Sequence, residues 1–204
     1  LDLINCFPKE IKQVSDGENQ INYKKLWDKF VNEFDKLSTD SFTGFSESLL
    51  YLLKKYTWCI PSNTMDMANV SLYEHLKTTA AFADCLYLYY QEQQNDFTFD
   101  NVRKRISLKE NVCPVILLGG DLSGIQKFIY NIASRKATVS LKGRSFYLQL
   151  LIDSAIQRII SHKDIDVNIG NVVYSSGGKF YMLLPNTKKV IAAISDLKAE
   201  FEQE

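Results

Sequence analysis

The chain has 204 residues, of which 46% are apolar, enough for one ordinary domain or two small ones around a packed core. Lys plus Arg and Asp plus Glu number 24 each, so no global field directs the molecule to nucleic acid or to a membrane surface, and any basic site has to be local. No apolar run is long enough to span a bilayer, which excludes a membrane-spanning helix.

Leu1 to Phe7 is apolar but short, has no basic start and runs into Pro8 and Lys9, so it does not read as a signal peptide. The chain opens without Met inside this apolar segment and closes inside a helical pattern, as expected of a piece of a longer protein. Trp27, Phe30, Val31, Phe34 and Leu37 follow the helical period, as do Leu49, Leu52, Leu53 and Tyr56. Pro61 to Thr64 interrupts the pattern. A longer helix is predicted from Ser71 to Glu92, with Leu72, Leu76, Thr79, Ala83, Leu86 and Tyr90 on one face. Ser71 is its expected N-cap, and Glu74 stands at the capping-box spacing. Cys6, Cys59, Cys85 and Cys113 form no C-x-x-C pair, which argues against a zinc ribbon or a redox dithiol. Such scattered cysteines read as small buried hydrophobes in a reducing cytoplasm.

The second half changes character. Pro114 to Leu118 is an apolar run suited to a central strand buried on both faces, ending at Gly119, Gly120 and Asp121. A helix follows, carrying Ile125, Phe128, Ile129 and Ile132. Ala133 to Ser140 reads as a loop, and a second helix starts after Gly143 with Leu148, Leu151, Ile152, Ala155 and Ile159 on one face. Asn171 to Ser175 and Lys179 to Leu184 read as the arms of a hairpin, because the paired glycines 177 and 178 can both take positive φ. Pro185 ends the second arm, and a last helix carries Val190, Ile194, Leu197 and Phe201. The fold class is therefore α+β: an N-terminal all-α subdomain, then a ferredoxin-like β-α-α-β-β-α domain whose fourth strand is expected beyond Glu204. The expected domains are residues 1–94, a linker at 95–112, and residues 113–204.

Chemistry concentrates in the second half. From Leu122 to Ile152 there is no acid, while Lys127, Arg135, Lys136, Lys142 and Arg144 lie in that stretch. Clustered cations suit a phosphate- or RNA-facing surface, or a solvated face paired with acids elsewhere. Lys142-Gly143-Arg144 is expected just before a helix, where free amides and the helix dipole attract an anion. Asp121, Ser123 and Gly124 occupy the turn after the first strand, where backbone can approach a ligand or a side chain can cap the helix. The hairpin tip reads Ser176-Gly177-Gly178-Lys179. Cyclase-type palms place metal-binding acids after such a Gly-Gly turn; here Lys179 and Phe180 stand there, which leaves no metal site but offers a cation to a phosphate. His75 and His162 are the chain's two histidines, too few for an HD-type metal centre; His75 is expected in a core or at a domain interface.

Several blocks resemble one family. GDLSGIQKFIYNI (120–132), LKGRSFYLQLL (141–151) and NVVYSSGGKFYMLLPNT (171–187), with KKYTWCIPSNT (54–64) and VSLYEHLKTTAAFADCLY (70–87), are similar to the Cas-ten family, the Csm-type large subunit of type III CRISPR effector complexes. The resemblance implies that residues 1–94 are the helical remainder of an HD-type domain and residues 113–204 the first palm. It also implies a parent that cleaves single-stranded DNA and makes cyclic oligoadenylate from ATP with magnesium. Its partners would be the other effector subunits, guide RNA and target RNA. In the family the Gly-Gly-Asp-Asp hairpin belongs to the second palm. This palm would supply a non-catalytic wall of the ATP site through Asp121, Ser123, Gly124, Lys142, Arg144, Ser176, Gly177, Gly178 and Lys179. The alternative is an interaction module that docks neighbouring subunits and the guide RNA without binding nucleotide.

Overall fold

The computed structural model describes residues 16–63, 69–93, 98–101, 103, 113–130 and 137–202. They fall into two compact units that divide after Ile60; most of the expected 95–112 linker lies outside the described residues.

The first unit holds α1 (Asp16–Phe34) and α2 (Phe42–Thr57). Ser41 caps α2 by accepting from the Gly44 amide. Trp27, Phe30 and Phe34 stack along α1, and Tyr56 and Phe45 of α2 meet that row edge-on. Glu33 accepts from Lys55 and from the Tyr56 hydroxyl, and these hydrogen bonds hold its carboxyl below the usual range.

The second unit begins with α3 (Leu72–Gln93), whose Glu74 amide donates to Ser71 Oγ at 3.1 Å, the expected cap. Then come β1 (Val115–Asp121), α4 (Ile125–Tyr130), α5 (Ala137–Ile160), a 3₁₀ turn (Ile169–Asn171), β2 (Val172–Ser176), β3 (Lys179–Pro185) and α6 (Lys188–Phe201). The strands form one antiparallel sheet in the order β1-β3-β2, so the hairpin's second arm lies between the first strand and its crossover partner. This split β-α-β arrangement is the ferredoxin-like topology expected from the sequence.

Each face of the sheet has its own covering. Phe180, Met182 and Leu184 of β3 and Val172 of β2 point to one side. There they pack with Ile152, Ile156 and Ile159 of α5 and with Val190, Ala193 and Leu197 of α6. Arg158 of α5 clamps Glu200 of α6 through two hydrogen bonds of 2.9 Å. On the opposite side α3 lays Ala81 and Cys85 against Leu183, Val115 and Val173. Asn171 ties the layers together by donating to the Leu183 carbonyl at 3.2 Å and to Cys85 Sγ.

Four expectations change. α3 buries Tyr73, Ala81, Cys85 and Tyr90, of which Tyr90 alone belongs to the predicted stripe, and Leu76 and His75 are exposed. Alone among the described cysteines, Cys85 is buried; Cys59 and Cys113 are exposed. β1 is not buried on both faces, since Leu117 is 62% exposed, and it continues through Gly119, Gly120 and Asp121. Gly120 belongs in the strand because a Cβ there would collide with the Phe180 ring on the neighbouring strand. Finally, α5 begins by Ala137, so residues 137–140 are helical; residues 131–136, with Ile132, Arg135 and Lys136, lie outside the described ones.

Candidate functional site

Two turns meet at one end of the sheet. The β2–β3 hairpin closes through Gly177 and Gly178, at φ 63° and 81°, the two positive values a type I′ loop requires. Gly178 has a second duty: a Cβ there would overlap the Ile125 side chain at the start of α4. Its carbonyl accepts from the Leu122 amide at 2.9 Å. That bond pins the turn after β1, with Ser123 and Gly124 (φ 76°), to the hairpin tip.

Asp121 and Lys179 are direct register partners at this end, and Ser176 pairs across the loop with Lys179. Lys179 Nζ lies 3.4 Å from Asp121 Oδ2, with both side chains more than half exposed. An ion pair so open to water contributes little, typically 0–1 kcal/mol. A phosphate oxygen could therefore take the place of the Asp121 carboxylate at small cost. Seven of the nine predicted positions, Asp121, Ser123, Gly124, Ser176, Gly177, Gly178 and Lys179, thus lie on these two joined turns.

Lys142 and Arg144 are arranged otherwise. Both lie inside α5, beyond its first turn, where backbone amides are engaged in the helix. No helix N-terminus opens at Gly143, so the anion site expected there does not form. Glycine costs a helix interior about 1 kcal/mol relative to alanine, which a 24-residue helix packed on a sheet absorbs. Arg144 turns back to α4, donating to the Phe128 carbonyl and stacking on the Phe128 ring at 5.2 Å. Lys142 is exposed.

The sequence reading passed over the surface beside the hairpin tip. Opposite residues in the register share a face, so Asp121 and Lys179 lie on the same side as Gly119, Tyr181 and Tyr174, and then Leu117. α3 covers this side only at the Val115 and Leu183 end. Beyond it Tyr174, Tyr181 and Leu117 stand exposed. Across the two-residue loop, counting in steps of two from Lys179 and from Ser176 places Tyr181 and Tyr174 on this side.

Asp121 is the lone carboxylate on these two turns, and among the described residues no three His, Cys, Asp or Glu side chains gather as a metal centre would need. The residues present do not fit a magnesium site of their own.

Residues 114–204 match the family model described as Csm1 subunit domain B. The chain is 38% identical over 182 residues to a CRISPR system single-strand-specific deoxyribonuclease Cas10/Csm1 (subtype III-A) of Methanocaldococcus jannaschii, which covers 79% of the chain and 22% of the relative. The chain belongs to the Cas10/Csm1 family. A relative of the same description from Enterococcus italicus is 34% identical over 199 residues, 94% of the chain and 25% of its own length. The chain thus spans a quarter or less of the length of these relatives. Among solved structures, a Csm1-Csm4 cassette in complex with pppApA superposes at a TM-score of 0.70 with 30% identity, covering 87% of this chain and 22% of that one. A Csm1-Csm4 cassette in complex with one ATP superposes at a TM-score of 0.65 with 28% identity, covering 87% of this chain and 22% of that one.

Proposed function

We propose that this chain is the part of a type III CRISPR effector large subunit that forms the non-catalytic palm wall of an ATP site. The observation that carries the reading is the junction of the β1–α4 turn with the Gly177–Gly178 loop, where Lys179 stands in place of the acids a catalytic palm needs. Lys179 would meet a phosphate as a point charge, and the glycines keep the backbone open to close approach. Related cassettes crystallise with ATP and with pppApA, which supports an adenine nucleotide as the ligand. Magnesium would arrive with the nucleotide and be held by acids elsewhere in the parent.

On this reading residues 1–94 descend from the HD-type domain, with α3 retained as a brace on the palm, and residues 113–204 are the first palm. The parent would cleave single-stranded DNA and make cyclic oligoadenylate in the cytoplasm, switched on by target RNA paired to guide RNA in the assembled complex. A second reading, a docking module, draws support from α5, where Val139, Phe146, Tyr147 and Leu150 are exposed together on one helix. Its occupant would be a neighbouring subunit of the effector.

The test is an ATP titration, with magnesium, of this chain alone and mixed with the second-palm portion of the same parent. Binding that needs the mixture and weakens in Lys179→Ala supports the composite site. No binding in a mixture shown to associate overturns it and leaves the docking module.

A further inference from the structure

The open half of the sheet carries a paired aromatic surface that the turns do not account for. Tyr181 of β3 lies with its ring against Gly119 of β1: a Cβ at Gly119 would stand 3.0 Å from Tyr181 Cε1. The glycine thus lets the ring settle onto the strand with its other side to solvent. Tyr174 of β2 is the direct partner of Tyr181, their centroids 6.1 Å apart at an interplanar angle of 42°. Both remain 40–50% exposed, at 49% for Tyr174 and 41% for Tyr181.

The hairpin register puts Tyr174 there. From the hairpin loop the register runs Ser176 to Lys179, Ser175 to Phe180 and Tyr174 to Tyr181, and then slips so that Val172 faces Met182. Counted from the loop, regular pairing already sets Tyr174 opposite Tyr181; the slip lies beyond it and turns Val172 onto the face packed against α5 and α6. The bulge thus keeps Val172 in the core while Tyr174 stays on the open face. Lys179 lies two residues from Tyr181 on the same strand and side, about 7 Å along it. Ring faces beside a weakly held cation make up a surface for an aromatic base joined to phosphates.

We infer that Tyr181 and Tyr174 form a stacking platform for the adenine ring of an adenine nucleotide whose phosphates reach Lys179. The inference rests on the nucleotide reading proposed above and adds the base contact to it. Adenine is favoured as occupant by the neighbouring cation and by the adenine nucleotides held in the related cassettes.

The experiment uses the full-length large subunit in its assembled complex, with ATP and inorganic triphosphate as probes. Tyr181→Leu and Tyr174→Leu should each weaken ATP binding about 10-fold, the range of one aromatic-base contact, while leaving triphosphate binding unchanged. Tyr181→Phe should retain ATP affinity, and Lys179→Ala should weaken both probes. If ATP binds the parent and the leucine variants bind it as tightly, the platform is overturned while the nucleotide reading stands. If the leucine variants lose assembly and Tyr181→Phe binds ATP normally, the surface is a protein contact and the inference fails. If the assembled wild type binds neither probe, the nucleotide reading itself fails, and the platform with it.

Discussion

The two sides of the sheet differ although the same strands supply both. On one side Phe180, Met182, Leu184 and Val172 are sealed beneath α5 and α6, and these apolar side chains determine how the helices sit. On the other side α3 seals only the Leu183 end, and the remaining positions present Leu117, Tyr181, Tyr174 and the Asp121–Lys179 pair to solvent. Strand alternation lets one element serve two ends: the buried side sets the fold, and the open side is free to vary in chemistry without costing the core.

Stability measurements should break along this division. Leu184→Ala, at a site with no exposed surface, is expected to cost about 3 kcal/mol in urea unfolding, whereas Leu117→Ala one row away on the opposite face should stay within about 0.5 kcal/mol. Equal costs would mean that the open side is covered after all. The hairpin loop sharpens the comparison. Gly178→Ala meets both a positive φ and the Ile125 side chain, so it should lose about 2 kcal/mol or more, while Gly177→Ala meets only the φ and should lose about 1 kcal/mol.

A smaller effect concerns the brace between α3 and the sheet. Asp84 Oδ2 is buried with no hydrogen-bond partner, and burial, aided by the Asp166 charge and partly offset by Asn171, raises the Asp84 pKa above its usual value. A carboxyl whose folded-state pKa is raised holds its proton more tightly in the folded chain. Stability from it is full below about pH 4 and declines as pH climbs through the raised value. Asp84→Asn should therefore stabilise the chain by about 1 kcal/mol at neutral pH and flatten the decline above pH 4. A variant with the wild-type pH profile would show that Asp84 is solvated. Smallest of all, Lys179→Ala should change unfolding by less than about 0.5 kcal/mol, since its partner is exposed.

Local signals in the sequence carried much of this. The Ser71 cap, the break at Pro61, the Gly177–Gly178 hairpin and the Val190, Ile194 and Leu197 part of the α6 stripe all reflect interactions within a few residues and stand as predicted, while Phe201 of that stripe is exposed. The misplacements needed distant partners. α3 is apolar around most of its circumference, and which stripe is buried depends on the sheet it meets; Cys85 and Ala81 fit against Leu183 where Leu76 does not. Gly119 and Gly120 resembled a turn because glycine usually marks one, but here they make room for Tyr181 and Phe180 of the next strand. The two turns were legible in the sequence; the side on which the tyrosines lie follows from the loop, but that α3 leaves them uncovered depends on distant packing. Lys142 and Arg144 were assigned to a helix start that the long α5 places earlier.

The most direct test of the central claim is isothermal calorimetry of ATP binding to the full-length large subunit in its complex, comparing wild type with Lys179→Ala. The open end of the palm as a nucleotide wall predicts intact assembly and about a 10-fold weaker dissociation constant, the loss of one charge-assisted phosphate contact. Unchanged affinity in a complex of normal composition would contradict it.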